Sequence, residues 1–335
     1  MIIKELINAI KITSNNEGSF LELKKRKILP PKADEVSIKI AYAGVNGPDI
    51  LQAKGLYSPT KENTNWPGLE VSGEIIARGE KVKNFKIGQK VVALCNGGGY
   101  ADFINIPKGQ VLPLPNGWSF AQGATIPETF FTIMQTLKMH SKLKKGMFVL
   151  IHGSSGGIGS TAIQIANHYG AHSIALVSSD EKAKYVQGLG AEHIINYKKE
   201  DFVKRTLEIT NGHGADRIID IIGGEVFSKN IMACAKGGSI ILLGLLGGVK
   251  SEINLASILL KNITIFGSTL GPKNSAKKSQ IAKLLKQEIW PALVAKTIKP
   301  PKIKSFNLDE ANLAHEQMRS QNHFAKVILK SNLFE

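Results

Sequence analysis

Cysteine is nearly absent: the 335 residues include two, Cys95 and Cys234, each within an apolar segment. A disulfide framework and a cysteine-rich structural zinc site both need more than this and are excluded. No apolar run is long enough to span a bilayer. The opening Met1-Ile2-Ile3-Lys4-Glu5 does not lead into the charged-then-apolar pattern of a secretory signal, so a cytoplasmic protein is expected. Aromatic residues make up only 7%, and the 27 acidic residues are outnumbered by 43 Lys and Arg, for a net charge of +16. Nucleic-acid binders share such a balance. Here, however, the basic residues are scattered over 24–27, 142–145, 198–199, 277–278 and 296–304, and no single basic helix stands out. The pattern reads as a solvated lysine-rich surface, with no nucleic-acid partner and no membrane.

Hydrophobic residues at 43% and charged residues at 21% are ordinary for a globular chain long enough for two domains. The first third reads as short strands divided by Gly and Pro: Val36–Tyr42, Gly73–Ala77, Lys90–Leu94 and Tyr100–Ile106. A helical stretch over Thr129–Met139 follows, and then strands and helices alternate. The strands are Ser173–Val177, His193–Ile195, Arg217–Ile222 and Ser239–Leu243; the helices are Glu181–Leu189, Asp201–Thr210 and Val226–Ala235. Such alternation predicts a doubly wound parallel sheet. After Thr264–Ser268 it stops, and helices Ser279–Leu293 and Asp309–Ser320 and a strand Lys326–Lys330 close the chain. The expectation is an α/β protein in which a Rossmann sheet, 124–266, is inserted into a discontinuous β-rich domain, 1–123 and 267–335. The cleft between them is the default site.

One segment gives the sheet a chemistry. The apolar run Val149-Leu150-Ile151 leads into His152-Gly153-Ser154-Ser155-Gly156-Gly157-Ile158-Gly159, and Ser160–Ala166 then carries apolar residues at helical spacing. In a strand, glycine turn and helix of this kind, a dinucleotide pyrophosphate sits on the helix N-terminus, where free N–H groups and the helix dipole favour an anion. The turn departs from G-x-G-x-x-G at Ser154, with Gly153 one residue early and Gly156 and Gly159 kept. NAD sites place an acidic residue about 20 residues further on, against the ribose 2′-hydroxyl. Here that strand ends in Val177-Ser178-Ser179. No carboxylate would repel a 2′-phosphate, and Ser179 and Lys182 can donate to one. Asp180 is expected to open the next helix and face away. NADPH is therefore favoured over NADH, and part of the positive charge would steer it inward.

Motifs in one shared order run nearly end to end: Val45-Asn46-Gly47-Pro48-Asp49, Gly55-Leu56-Tyr57, Pro67-Gly68-Leu69-Glu70-Val71-Ser72-Gly73, Gly97-Gly98-Gly99-Tyr100-Ala101, Ile126-Pro127-Glu128-Thr129, Leu189-Gly190-Ala191, Asn196–Phe202, Ile265–Leu270 and Ala325–Leu329. In these the chain resembles the zinc-independent quinone oxidoreductases of the medium-chain dehydrogenase/reductase superfamily, the zeta-crystallin-like and tumour-suppressor-inducible type. The resemblance implies a GroES-like catalytic domain around the Rossmann insert. It also implies that Asn46 and Leu69 stand where the zinc alcohol dehydrogenases of the superfamily carry Cys and His ligands. A leucine cannot ligate zinc and an amide does so poorly, so no metal is expected and Glu70 is expected to act as a hydrogen-bonding residue.

The resemblance further places Asn46, Tyr57 and Thr132 as polar residues lining the cleft at the nicotinamide end. Gly244 and Leu245 would supply backbone beside the ring, Lys182 and Tyr197 would surround the 2′-phosphate, and His323 and Lys326 would support the cofactor from the C-terminal segment. Tyr57 read on its own can equally be a packed aromatic, Asp49 a helix cap, and His152 a structural residue in the strand. Two departures stand out: Gly271-Pro272-Lys273 where the family usually has Arg, and Ala325-Lys326 where it commonly has Gly-Lys. The implied activity is NADPH-dependent reduction of quinones, with reduction of enones or enoyl groups as the alternative and an RNA-binding or structural role as the alternative of another class. A homodimer is expected, joined through the apolar, β-prone Asn262-Ile263-Thr264-Ile265-Phe266.

Overall fold

The computed structural model describes residues 6–15, 18–57, 65–271, 274–320 and 325–334. The chain divides into two compact units, Met1–Phe131 with Leu270–Glu335, and Thr132–Thr269. No helix among the described residues is long and apolar enough to cross a membrane.

The first unit is built on a seven-stranded sheet. Its order is Ile303–Asn307, Lys326–Lys330, Glu35–Gly44, Glu70–Arg78, Lys90–Leu94 and Val111–Pro113, with Phe103–Pro107 also paired to Glu35–Gly44. Period-two patterning puts Val36, Ile38 and Ile40 into a core shared with Val71, Ile75, Val91 and Ile104. A two-stranded ribbon, Leu6–Asn15 against Gly18–Lys27, was not expected from the sequence. Its second strand carries the basic run Lys24-Lys25-Arg26-Lys27, which reads as solvated charge. Only Leu21 on that strand is buried, while the first strand supplies Ile7, Ala9, Ile10 and Ile12 to the core.

The second unit is a six-stranded sheet, parallel at every pair, in the order His193–Asn196, His172–Val177, Phe148–Ile151, Ala215–Asp220, Cys234–Leu242 and Thr264–Gly267. The strand order reverses beside Phe148–Ile151, and ligands of doubly wound sheets bind at such a switch point. Three expected helix boundaries differ. Helix Val226–Ala233 ends before Cys234, whose extended backbone already begins the next strand. The expected helix Thr129–Met139 is Pro127–Ile133 followed by a π-helical turn, Met134–His140. The expected single helix Ser279–Leu293 is two, Ser275–Glu288 and Trp290–Val294, because Pro291 has no N–H to continue the first. Asn274 starts the first of these earlier than its apolar spacing suggests, by capping the N–H of Lys277.

Thr264–Gly267 is an edge strand. Beside it in sequence, helix Leu255–Lys261 has no buried residue, and Leu255, Leu259 and Leu260 are each at least 70% exposed. An apolar face this open on a sheet edge is a liability unless something covers it.

Candidate functional site

In the first unit the site grows from Glu70, a residue with no exposed surface at the start of its strand. A buried charge must be paired and hydrogen-bonded, and Glu70 meets both conditions. Its Oε1 pairs with Lys326 Nζ at 2.6 Å and accepts from Asn46 Nδ2 at 2.8 Å, and its Oε2 accepts the backbone N–H of Glu128 at 2.9 Å. Lys326 also donates to Asn46 Oδ1, so all three side chains close on one another. Gly44 is a consequence of this arrangement: a Cβ there would lie 2.1 Å from Glu70 Oε1.

Asp49 stands one layer out. Its carboxylate accepts the N–H groups of Asn46, at 2.9 Å, and Gly68, at 3.0 Å, closing a capping box on helix Gly47–Ala53. Burial outweighs these bonds and pushes its pKa up to about 7. Glu128 is joined to Glu70 through its backbone N–H. Burial, then the charges of Glu70 and Asp49, raise its pKa to about 8. The Tyr57 phenol is held well above its usual range by burial and by Glu128 and Asp49. A Cβ on residue 271 would sit 1.6 Å from Tyr57 Oη, so the tyrosine occupies the space that any side chain at 271 would need. The backbone carbonyl of Gly271 is held by Lys278 Nζ at 3.1 Å, and this fully buried ammonium also donates to Asn96 Oδ1 at 2.6 Å.

The donor set does not fit a metal. Leu69 is buried and apolar, Asn46 is bound at both ends of its amide, and the Lys326 ammonium occupies the carboxylate of Glu70. Among the described residues no three His, Cys, Asp or Glu side chains converge as a metal site would require.

In the second unit the glycine turn connects strand Phe148–Ile151 to helix Gly157–His168. Gly153 has φ +61°, and a Cβ on Gly159 would lie 2.4 Å from the Gly153 carbonyl and from Ser154 Cα. The helix thus packs directly on the turn. Ser154 fits in place of glycine because its side chain turns inward, donating to the Ile151 carbonyl at 2.7 Å with no exposed surface. Gly156 is the N-cap and offers no side-chain cap, so first-turn N–H groups beside Ser155, Gly157 and Ile158 are left for an anion. These residues fit a dinucleotide pyrophosphate.

At the next strand end Ser179 caps helix Asp180–Gly188 through the N–H of Lys182, leaving its own hydroxyl proton to donate. Lys182 Nζ donates to Ser178 Oγ at 3.1 Å, and its pKa is lowered by burial and by the neighbouring charge of Lys198. Asp180 is turned onto Lys199 at 2.8 Å. Tyr197 is half exposed nearby in sequence, at 48%. Gly244 leaves no room for a Cβ, which would approach the Ile221 carbonyl at 2.9 Å, and Leu245 is half exposed. Thr132 is buried in its helix, its carbonyl bonded by Thr136. His323 lies outside the described residues.

Several partners were not found from the sequence. Asp220 accepts the N–H groups of Ile222 and Gly223 and the amide of Asn230, whose Oδ1 meets His152 Nε2 at 2.7 Å. This buried chain gives His152 a structural place under the turn, and burial holds its pKa down. Lys278 was likewise missed, since a lysine in a basic helix reads as solvated.

Comparison with known proteins agrees with this geometry. An alcohol dehydrogenase GroES-like domain matches residues 32–116, and a zinc-binding dehydrogenase domain matches 157–287. The mouse (Mus musculus) quinone oxidoreductase is 30% identical over 94% of this chain and 95% of its own length. The chain belongs to the quinone oxidoreductase family of the medium-chain dehydrogenase/reductase superfamily. Among solved structures, a quinone oxidoreductase of Pseudomonas syringae superposes with a TM-score of 0.84 at 27% identity, over 97% of this chain and 99% of that one. The CurK enoyl reductase does so with the same score and identity, over 98% of this chain and all of the other. Quinone oxidoreductases and enoyl reductases therefore share this fold, and the chain is an oxidoreductase of this type.

The raised pKa of Glu128 has a consequence for stability. A carboxyl that holds its proton in the folded state up to about pH 8, against about 4.5 when free, favours folding at low pH. That contribution is lost as pH rises through this interval. The melting temperature should therefore fall from pH 5 to pH 8 more steeply in the native protein than in Glu128→Gln, as calorimetry would show; parallel slopes would contradict the assignment.

Proposed function

We propose that this protein reduces quinones or similar electrophilic acceptors with NADPH and without zinc. The observation that carries the cofactor choice is a pair of cations, Lys182 after strand His172–Val177 and Lys198 after the adjacent strand His193–Asn196. Lys182 is held on Ser178 and works against the charge of Lys198, Asp180 is tied to Lys199, and a 2′-phosphate would relieve the repulsion. Ser155, Gly156, Gly157 and Ile158 would hold the pyrophosphate, Ser179 and Tyr197 would complete the phosphate site, and Gly244 and Leu245 would lie along the nicotinamide. When bound, the cofactor supplies a hydride.

The acceptor needs no Lewis acid, because a quinone or enone is already electrophilic. The work of the protein is positioning and water exclusion. Asn46, Tyr57 and Thr132 offer polar contact. Lys326 was expected on the cofactor, but its ammonium is committed to Glu70 and Asn46, and we read it as a support of the acceptor side. Enoyl reduction is the second reading, favoured by the likeness to the CurK enzyme.

Steady-state assays with NADPH against a quinone panel and an enone panel separate the two. Lys182→Ala should weaken NADPH by roughly 3- to 30-fold, the value of one partly exposed charged hydrogen bond, and barely touch NADH. Equal weakening of both, or no turnover of quinones, would sink the reading.

The open edge strand and leucine-rich helix support a homodimer formed by two-fold pairing of this edge. Ile265→Lys should give monomers or insoluble protein. Light scattering that finds the unmodified chain monomeric at micromolar concentration would end the idea.

A further inference from the structure

Segment 221–224 follows strand Ala215–Asp220 and lies against both glycine-rich parts of the second unit that the functional reading gives to the cofactor. On one side is the pyrophosphate turn, where a Cβ on Gly153 would lie 2.4 Å from Ile221 Cδ1. On the other is the loop after strand Cys234–Leu242. The N–H groups of Leu246 and Gly247 donate to the carbonyls of Ile221 and Ile222, at 3.2 and 2.7 Å, and Gly223 pairs with Gly248 as a parallel bridge. The approach is close here too: a Cβ on Gly224 would sit 2.5 Å from the Gly247 carbonyl, and one on Gly244 2.9 Å from the Ile221 carbonyl. Segment 221–224 therefore cannot shift without disturbing the loop that carries Gly244 and Leu245.

A buried chain of polar side chains holds this segment. Asp220, with no exposed surface, accepts the N–H groups of Ile222 at 2.7 Å and Gly223 at 3.0 Å on Oδ1, and Asn230 Nδ2 at 3.0 Å on Oδ2. Three donors converge on this carboxylate, which only accepts, so Asn230 turns its amide nitrogen toward it. Asn230 Oδ1 then faces His152 Nε2 at 2.7 Å, and that nitrogen carries the proton. The direction of each bond is thereby fixed: His152 donates to Asn230, and Asn230 donates to Asp220. The His152 ring stands edge-on to Phe202 at 5.5 Å, and the residue directly precedes Gly153 of the turn. Asn230 is fully buried on helix Val226–Ala233.

Apolar side chains would pack this helix on the sheet without such a chain. A satisfied buried network specifies one arrangement where apolar packing tolerates several. Here it fixes the position of segment 222–223 relative to residue 152, and so of the nicotinamide-side loop relative to the pyrophosphate turn.

We propose that His152, Asn230 and Asp220 are positioning residues that tie the pyrophosphate turn to loop 244–248, so that an occupied turn orders the loop that aligns the nicotinamide. The proposal rests on the functional reading above and adds to it a coupling between the two ends of the cofactor site. The three residues act through segment 221–224 and not on the reacting atoms.

The first test uses the native protein and adenosine 2′,5′-bisphosphate. This fragment carries the 2′-phosphate and one phosphate for the turn, but no nicotinamide. Its binding should slow hydrogen exchange at the amides of Gly223, Leu246 and Gly247 by about 5-fold or more, the lower end of ordinary coupling between sites. Protection confined to the turn and to the strand end around Ser179 would overturn the proposal.

The second test breaks the chain. Asn230→Leu keeps the bulk and removes both bonds; His152→Gln keeps a donor nitrogen, and His152→Leu removes it. With NADPH and a quinone, kcat should drop by about 10- to 100-fold in the two leucine variants, the scale of a misplacement of about an ångström, and by less in His152→Gln. The Kd of the fragment should be unchanged in all three, and in Asn230→Leu the fragment should no longer protect Leu246 and Gly247. Native kcat in Asn230→Leu, or a fragment Kd that weakens as far as kcat falls, would each count against the coupling. If the leucine variants do not fold, the first test decides alone. Should the native protein bind no NADPH, or reduce neither quinones nor enones, the functional reading falls and the proposal with it. Should it bind and reduce them while the fragment leaves loop 244–248 unprotected, the proposal alone falls.

Discussion

The first unit is organised around neutralising one buried carboxylate. Glu70 is paired to Lys326, bonded by Asn46 and by the backbone of Glu128, and allowed its space by Gly44. Three separate stretches of chain, near 46, 128 and 326, are tied together at that point. Removing one partner of such a pair ordinarily costs about 3–5 kcal/mol, because the other charge stays buried and unmatched. The interaction therefore fixes geometry as well as charge: Asn46 and Glu128 are both held by Glu70, and Asp49 is set by the N–H of Asn46.

The same pair shapes the chemistry proposed for the site. A metal would need free donors, whereas the carboxylate of Glu70 is taken up by Lys326 and Asn46, that of Asp49 by backbone N–H groups, and Leu69 offers no ligand. What remains is polar positioning. Gly271 follows the same logic of space, since Tyr57 fills the volume of its missing side chain.

Much of this was legible in the sequence because it depends on local pattern. Alternating strands and helices predict the parallel sheet, and an apolar strand before Gly153 and a helical spacing after Gly159 predict the turn. The expectation of no zinc came from the resemblance, which places Asn46 and Leu69 at the ligand positions of the zinc enzymes. What was not legible depends on long-range contact. The partner of Glu70 lies 256 positions away at Lys326, and that pair exists only once strand Lys326–Lys330 lies beside Glu35–Gly44. Lys278 and Arg26 look like surface charge in one dimension, yet the first is fully buried. Ser154 broke the glycine fingerprint on paper, but its inward hydroxyl leaves the turn intact. Glu128 could not be singled out, since nothing in Ile126-Pro127-Glu128-Thr129 says that its side chain will be buried near Glu70 and Asp49.

The proposed zinc-independent chemistry, with Lys326 rather than a metal neutralising Glu70, can be tested by metal content and turnover together. Purified protein should contain no stoichiometric zinc by elemental analysis, and its NADPH-driven turnover should survive prolonged treatment with a chelator unchanged. One tightly bound zinc per chain, with activity lost to the chelator and restored by the metal, would contradict the account.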